Sequence, residues 1–435
     1  MTRIVGHTRA ILTIGDKMKI GYACTLVLQD DTKMRSCIAK NASELRLIEL
    51  IDHNLTALSN ILTYNHQQGI KMFRISSDII PFGSSPINSV DWQTLFQSAF
   101  TFLQEQIKRY DMRVSMHPGQ YTIINSPNPE VVQRAIADLQ YHCALLDLLC
   151  EDATHKMVLH VGGVYGDKQE AMKRFMAEYR ELDETIKRRL IIENDDRYYT
   201  IEDVLYLSVQ LSIPVVFDNL HHAILPPALE RSQLEWLWLV ADTWKKEDGI
   251  MKIHFCQQDV KKRKGAHAMH IDADTFLEFI REREGLDMDI MLEVKDKNIS
   301  AIKCRNLLEK TLQDAQAEWK RYRLLFLLDS TRLYEVWNTL MHSSCGIQSL
   351  DFYHVCEDIG RRVHTASDVS RMLQHVIQNT DWTQRTANLL LRAVTAYEAR
   401  EKSLEQLLDT LLRACEREQR YDLYDAVLLL KTYEV

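Results

Sequence analysis

Few of the features that mark secreted, membrane or disordered proteins occur in this chain of 435 residues. Eight prolines and fourteen glycines are too few for long disordered linkers. No apolar run approaches the ~20 residues that a membrane helix needs. The first residues, MTRIVGHTRAILTIGDKM, lack the small-residue cleavage site of a signal peptide. We therefore expect a cytoplasmic location and no membrane partner.

Cysteine pairs and a surplus of positive charge are also missing. The nine cysteines are scattered and include no C-x-x-C pair, which favours reduced thiols over a disulfide framework or a thiolate zinc site. The 53 basic and 61 acidic residues give a net charge of −8, a weak argument against nucleic-acid binding. Bound metal ions would add positive charge that this count omits, so charge alone does not identify the partner.

What the chain does contain is a repeated alternation of strands and helices. From residue 18 to about 310, eight β-branched runs alternate with amphipathic stretches, as in repeated βα units. Strict alternation and nearly continuous apolar runs favour an α/β fold of the closed (β/α)8 or TIM-barrel type over an open sheet. Asn41, with Glu44 three residues later, predicts a capping box for a helix over 44–67. Further helices are expected at 91–109, 130–151, 168–188, 200–211, 231–246 and 273–283.

Beyond residue 310 the strand signals stop, and the apolar residues of several segments take helical spacing. We therefore predict an extension at 1–17, a TIM barrel at 18–310 and an all-α domain at 311–435. The helical domain contains no recognisable chemical motif, so its role stays open.

Metal-type side chains occur at or near the C-terminal ends of six predicted strands and in two following loops. In a parallel barrel these ends converge on one mouth, which predicts a single polynuclear metal site. Each residue alone is more often a core or turn residue, but several buried carboxylates are costly unless paired or metal-bound. Histidine and carboxylate donors suit Zn²⁺ or Mn²⁺, and pairs of such ions can clamp a phosphodiester. The candidates are His117, His160, Glu193, Asp218, His221, His254, His267 and Glu293.

Lys252 lies two residues before His254 and so shares its strand face. An ammonium beside metal ions is unfavourable, so this lysine would pair with carboxylates, lose its proton or be chemically modified. A structural salt bridge below the mouth is the alternative.

Contacts with phosphates and bases are suggested by a few other residues. GGVYGDK at 162–168 lacks the spacing of a phosphate-binding loop, so no nucleotide cofactor is expected. A basic cluster between His254 and His267 could contact phosphates or act as a nuclear-localisation signal. Strand-end residues could pack internally or stack against bases. The basic residues are Lys261, Lys262, Arg263 and Lys264, and the strand-end residues are Tyr22, Gln120 and Tyr121.

An ordered series of motifs resembles the ultraviolet-damage endonuclease family over nearly all of 18–305. The series is GYAC at 21–24, FRISSDIIPFGS at 73–84, MHPGQY at 116–121, LHVGGVYGDK at 159–168, IENDD at 192–196, FDNLHH at 217–222, KIHFC at 252–256 and LEVKDK at 292–297. The resemblance implies a TIM barrel related to endonuclease IV with a three-metal cluster. Manganese is the usual ion, with Zn²⁺, Co²⁺ or Mg²⁺ as alternatives.

The resemblance also implies a role for each motif residue. His117 and His160 would bind one ion, and Glu193 would bridge to a second ion that Asp218, His254 and Glu293 complete. His221 and His267 would hold the third ion with Lys252, which can be carboxylated in the family. Glu193, Lys252 and Glu293 would be the catalytic residues. Gln120 and Tyr121 would wedge into the duplex opposite the lesion, and Tyr22 would form another wall of the DNA-facing pocket.

The activity implied is nicking of ultraviolet-damaged duplex DNA immediately 5′ to cyclobutane pyrimidine dimers or 6-4 photoproducts, leaving 3′-hydroxyl and 5′-phosphate ends. Leu26 replaces an asparagine and Asp78 a histidine found in some relatives, which makes the lesion preference an open question. Two rival functions are a metal-dependent sugar isomerase and an inert lesion-binding protein with a partner-recruiting tail. The isomerase would need fewer histidines and leaves Gln120 and Tyr121 unexplained.

Overall fold

The computed structural model describes residues 18–27, 30–283, 285–309, 311–343 and 346–433. The extension predicted at 1–17 lies outside the described residues. Eight parallel strands form the barrel, and the predicted fold class is confirmed. The strands are β1 Ile20–Ala23, β2 Met72–Arg74, β3 Arg113–Ser115, β4 Met157–His160, β5 Leu190–Glu193, β6 Val215–Val216, β7 Met251–Phe255 and β8 Met288–Leu292.

Pairing between neighbouring strands closes the barrel. One sheet has the order β3-β2-β1-β8-β7 and another the order β4-β5-β6. Parallel bridges between Met116 and Met157, and between Asp218 and His254, join the two sheets at both edges. Nearly every strand residue is buried, because one face of each strand fills the barrel interior and the other packs under helices.

The barrel helices follow the apolar periodicity, but some boundaries differ from prediction. Ser43, whose side chain accepts from the Arg46 N–H, caps the first long helix, so the capping box predicted for Asn41 and Glu44 is wrong. The predicted helices at 91–109 and 168–188 are each divided in two. The helices are Glu44–Gln67, Trp92–Leu95, Gln97–Arg109, Pro129–Leu149, Lys168–Glu181, Glu184–Lys187, Ile201–Leu211, Asn219–Ile224, Gln233–Ala241, Ala273–Glu282 and Asn298–Leu308.

The later part of the chain is helical and contains its own core. Phe326 stacks on Phe352, and Tyr322 and Tyr353 pack edge-on beside them. By backbone contacts, the described helices from Asn306 onward form a second unit with Asp272–Leu277. No helix among the described residues is both long and apolar enough to cross a membrane. The helices of this part are Ala315–Asp329, Thr331–Met341, Ser349–Gly360, Ala366–Asn379, Gln384–Glu398, Leu404–Arg417 and Tyr421–Thr432.

Candidate metal centre

The C-terminal ends of the strands bring the predicted metal ligands together. His160 and Glu193 end β4 and β5, where they are direct neighbours in the strand register. Asp218 follows β6 and bridges to His254 of β7. His117 and Glu293 follow β3 and β8. The barrel topology thus places six side chains from six strands around one mouth.

Glu193 lies at the middle of this cluster and presents each oxygen to a different pair of histidines. Its Oε2 is 3.1 Å from His117 Nε2 and 3.9 Å from His160 Nε2. Its Oε1 is 2.8 Å from His254 Nδ1 and 3.5 Å from His221 Nδ1. The side chain is 1% exposed. A carboxylate with its two oxygens divided in this way has the geometry of a bridging ligand.

The other two carboxylates extend the cluster. Glu293 lies with Oε1 3.4 Å from His254 Nδ1 and with Oε2 3.8 Å from His267 Nε2. Asp218 Oδ1 is 3.8 Å from His221 Nδ1 and also accepts the His221 backbone N–H at 2.8 Å. Asp218 therefore caps the helix Asn219–Ile224, so His221 belongs to a short helix and not to the loop that was predicted.

Four overlapping groups of three potential ligands lie in the described part of the chain. The groups are His117–His160–Glu193, Glu193–Asp218–His221, Asp218–His254–Glu293 and Cys256–His267–Glu293. All eight predicted histidines and carboxylates occur in them. None of the four joins His221 with His267, which differs from the grouping that the resemblance implied.

Burial and mutual repulsion strongly affect the charges of this cluster. Burial raises the pKa of Asp218; His221 opposes this effect, while Glu193 and Glu293 add repulsion. Burial alone would lower the pKa of His221, but the negative charges of Asp218 and Glu193 outweigh burial and raise this pKa to about 9. For His117, in contrast, burial prevails and lowers the pKa to about 4. The site thus concentrates negative charge that cations would stabilise.

Lys252 lies in the barrel interior with 1% of its surface exposed. Its Nζ is buried without a hydrogen-bond partner among the described residues. Burial, and then the positive charges of Arg113 and Arg74, lower its pKa well below the usual value. These surroundings disfavour the charged form of the amine, and the unpartnered Nζ does not support the salt-bridge alternative.

The donor atoms fit divalent metal ions. His254 Nε2 and His160 Nδ1 are buried and lack a hydrogen-bond partner in the described structure. Three carboxylates and five imidazoles supply the oxygen and nitrogen donors that Zn²⁺ and Mn²⁺ accept. The arrangement therefore supports metal binding and leaves the identity of the ion open.

The residues predicted to contact DNA fall into two classes. Gln120, Tyr121 and all of 261–264 are exposed, which suits contact with a ligand. Tyr22 has no exposed surface, and its hydroxyl donates to Asn65 Oδ1 of an outer helix at 2.8 Å. A buried ring cannot line a DNA-facing pocket, so this placement of Tyr22 was wrong. Strand alternation points its side chain outward, between the barrel and the helix Glu44–Gln67.

The two positions that depart from relatives differ in their surroundings. Leu26 is buried, with 6% exposed, whereas Asp78 is exposed. Asp78 and Tyr121 line the same cavity of about 380 Å³. Of the two, Asp78 is therefore the side chain that a ligand beside Tyr121 could reach.

Three residues of the centre were missed by sequence reasoning. Arg74, at the end of β2, donates a hydrogen bond to Glu293 Oε1 and holds the pKa of that carboxyl below its usual range despite burial. Cys256 Sγ lies 3.2 Å from Asp218 Oδ2. Asn194 exchanges hydrogen bonds with the Asp218 backbone. All three follow the rule used for the ligands, since each lies at a strand end. Arginine and asparagine did not suggest metal binding, and Cys256 was passed over because it belongs to no C-x-x-C pair.

Several known proteins are similar to this chain in sequence and in structure. The sequence model of the family described as UV-endonuclease UvdE matches residues 18–318. A UV DNA damage endonuclease of Clostridium perfringens (strain 13 / Type A) is 45% identical over 316 residues, covering 71% of this chain and 76% of that protein. A UV DNA damage endonuclease of Bacillus cereus (strain Q1) is 33% identical over 267 residues, covering 61% and 84%. The crystal structure of SacUVDE is similar with a TM-score of 0.64 and 38% identity, covering 67% of this chain and 98% of that one.

Proposed function

The chain belongs to the UV-endonuclease UvdE family, and from this premise we propose a specific reaction. The protein is a metal-dependent DNA-repair endonuclease that nicks damaged duplex DNA immediately 5′ to ultraviolet photoproducts. It acts on cyclobutane pyrimidine dimers and 6-4 photoproducts, and it leaves 3′-hydroxyl and 5′-phosphate ends. Manganese is the proposed ion.

The observation that carries the proposal is the position of Glu193 between two pairs of histidines. Its oxygens reach toward His117 and His160 on one side and toward His254 and His221 on the other. A sugar-binding site does not require so many imidazoles, whereas a phosphodiester benefits from several cations at one mouth. The ligands we propose are His117, His160, Glu193, Asp218, His221, His254, His267 and Glu293, with Lys252 as a carboxylated ninth.

Divalent ions at this site would polarise the scissile phosphate and stabilise the charge that develops on the leaving oxygen. The chain's own contribution is to fix the ligands before DNA arrives. Arg74 orients Glu293, and Asn194 O accepts from His221 Nδ1 at 2.9 Å. Such second contacts determine which imidazole nitrogen is free to bind an ion.

DNA recognition is assigned to exposed residues around the mouth. Gln120 and Tyr121 would wedge into the duplex, since a lesion weakens stacking and lowers the cost of extruding the damaged bases. Lys261, Lys262, Arg263 and Lys264 would contact backbone phosphates. We assign catalysis to residues 18–310 because every proposed ligand lies there, with 1–17 as an extension and 311–435 as a helical domain of unknown role.

The test compares irradiated with unirradiated supercoiled plasmid, each incubated with the full chain and Mn²⁺. Wild type should nick only irradiated DNA, and Glu193→Gln should lose at least about a hundredfold in rate, because the amide keeps the shape but not the charge. A duplex with one dimer and a labelled 5′ end then maps the cut, and extension by a polymerase detects the 3′-hydroxyl.

Three outcomes would contradict the proposal. Equal nicking of both plasmids would remove the lesion specificity. Cutting on the 3′ side of the dimer would reject the proposed position. Binding of irradiated DNA without nicking, with Mn²⁺, Zn²⁺, Co²⁺ or Mg²⁺, would instead favour a lesion-binding protein.

A further inference from the structure

Three consecutive strand-end loops present an exposed tyrosine on the side of the barrel that carries the metal centre. Tyr121 follows β3, Tyr165 follows β4 and Tyr198 follows β5, and they are 70%, 46% and 45% exposed. Tyr165 and Tyr198 each come five residues after a proposed ligand, His160 and Glu193. The proposed function uses Tyr121 alone, so the other two rings have no role yet.

A buried hydrogen-bond network joins the three loops. Asn125, in the loop after β3, donates to the Gly163 carbonyl at 2.8 Å and to the Tyr199 hydroxyl at 3.2 Å. The Tyr199 hydroxyl donates in turn to the same carbonyl at 3.0 Å. Asn125 and Tyr199 have no exposed surface. These hydrogen bonds hold the three loops in place before DNA binds. Less conformational entropy is therefore lost when DNA contacts the tyrosines that the loops carry.

The Tyr165 side chain is held in place at some conformational cost. Its φ of 50° lies in the left-handed region, which a residue with a side chain adopts only under constraint. The Arg174 guanidinium lies 5.5 Å from the centre of its ring, and Arg174 Nε donates to the Asn125 carbonyl at 2.9 Å. Strain of this kind at an exposed position points to function.

The Tyr198 side chain is presented by a tightly closed loop. The Asp195 carboxylate accepts the backbone N–H groups of Arg197, Tyr198 and Tyr199 at 2.7, 2.5 and 3.2 Å. The Asp195 N–H donates to the Tyr199 carbonyl at 2.9 Å. The Arg197 side chain, next to Tyr198 in sequence, is 64% exposed and lies with its Nε 3.8 Å from Asp196 Oδ1, so this loop also presents a cation to the solvent.

We propose that Tyr165 and Tyr198 continue from Tyr121 as an aromatic track that holds the DNA strand beside the scissile phosphate. The track, defined as these three tyrosines, stacks on bases unpaired around the lesion. Any base offers a face to such a ring, and adjacent arginines add attraction to the phosphates. The inference rests on the proposed function, because it needs DNA at this mouth.

The test measures kcat and KM for nicking of a duplex with one dimer, and Kd for the same duplex by fluorescence anisotropy. The variants are Tyr165→Ala, Tyr198→Ala and the pair, with Tyr165→Phe and Tyr198→Phe as versions that keep the ring. Each alanine variant should raise KM and Kd about tenfold, and the pair more, because a base–aromatic stack is removed. The phenylalanine variants should match wild type.

The matched control is Tyr206→Ala, which removes an equally exposed tyrosine, 50% exposed, from the outer helix Ile201–Leu211. Wild-type KM and Kd in both alanine variants, or losses equal to those of the control, would overturn the proposal. So would phenylalanine variants as weak as the alanine ones, since the ring would then not be the binding element. Failure of the wild type to nick would reject the proposed function instead, and the Kd series would still decide whether the track binds DNA.

Discussion

Lys252 is the residue whose chemical state matters most to the proposed centre. Its amine is buried, and the nearby Arg113 and Arg74 add to the effect of burial in holding its pKa down. A neutral amine can attack carbon dioxide through nitrogen and release one proton, which leaves a carbamate whose single negative charge is shared by two oxygens. Under the proposed function, this modification would turn the amine into an anionic metal ligand, and the buried, unpartnered Nζ does not support a salt bridge in its place.

We expect Lys252→Ala to lose at least about tenfold in nicking rate, as the loss of groups that support a metal site commonly does. Acetate should restore part of the rate, because a small carboxylate can replace the carbamate oxygens, whereas methylammonium should not. The measurement is nicking of the single-dimer duplex with each additive. Rescue by methylammonium, or wild-type protein whose intact mass in bicarbonate shows no added carbon dioxide, would contradict carboxylation.

At the same scale, the sequence was sufficient to predict that the candidate ligands lie together, but not which other residues contact them. His160 and Glu193 could be predicted because strand ends in a parallel barrel share one mouth, and that rule needs no knowledge of side-chain packing. Arg74 could not be paired with Glu293, since β2 and β8 become close only through their common neighbour β1. Tyr22 was misplaced because its DNA-facing role came from the resemblance, which does not show the face of the strand on which the ring lies; the alternative of internal packing is the one that the structure bears out.

Among the structural elements, the loop after β4 depends on its glycines. Gly162 has φ +114°, and a Cβ there would lie 2.4 Å from Asn125 Oδ1, the residue that joins the three tyrosine-bearing loops. Gly166, in the same loop, has φ +85° with nothing within 4 Å of a Cβ. An alanine at Gly166 would therefore meet only the strain of a positive φ, whereas an alanine at Gly162 would meet that strain and a steric clash.

We expect Gly166→Ala to cost about 1 kcal/mol in the free energy of unfolding through its positive φ alone. Gly162→Ala should cost about 1–3 kcal/mol more, because the added methyl group displaces Asn125. Urea unfolding followed by tryptophan fluorescence measures the difference. Gly162→Ala should also raise KM for the dimer-containing duplex, whereas Gly166→Ala should not. Equal effects at the two positions would show that the Asn125 contact does not stabilise the loop.

Helix existence was predictable from the sequence, but helix ends were less so. Apolar spacing identified the helix over 44–67, yet Ser43 and not Asn41 caps it. The helix predicted at 231–246 ends at Ala241. Beyond it, Thr243 Oγ1 accepts the Val215 N–H and Trp244 Nε1 donates to the Val215 carbonyl. These contacts with β6 arise from the tertiary fold and override local periodicity.

Across the whole molecule, the net charge of −8 conflicts with DNA binding unless positive charge is concentrated locally. The cluster 261–264 provides such a concentration, and its four side chains are exposed after β7. Part of it is used internally, since Lys262 Nζ lies 3.2 Å from Asp259 Oδ2 and Lys264 Nζ donates to the Ile224 carbonyl at 3.1 Å. Bound ions would supply further positive charge beside it.

We expect DNA binding to weaken, mainly at low salt, when the four basic residues of this cluster are replaced together by glutamine. The residues are Lys261, Lys262, Arg263 and Lys264. The slope of log Kd against log salt should fall by about 0.9 for each phosphate that the protein no longer neutralises, because fewer counterions are released. Preference for damaged over intact duplex should change little, since phosphate contacts contain no lesion information. The measurement is a salt titration of Kd by fluorescence anisotropy.

The control for this prediction makes the same change in net charge at the opposite end of the barrel. Four basic residues are exposed there. Lys71 lies just before β2, Lys108 and Arg109 lie in the last turn of the helix that leads into β3, and Arg180 lies in the last turn of the helix Lys168–Glu181, before β5. Their joint replacement by glutamine should leave the slope unchanged. If both variants reduce the slope equally, net charge and not the position of 261–264 governs the attraction of DNA. If neither does, binding depends on the metal centre and the aromatic track alone.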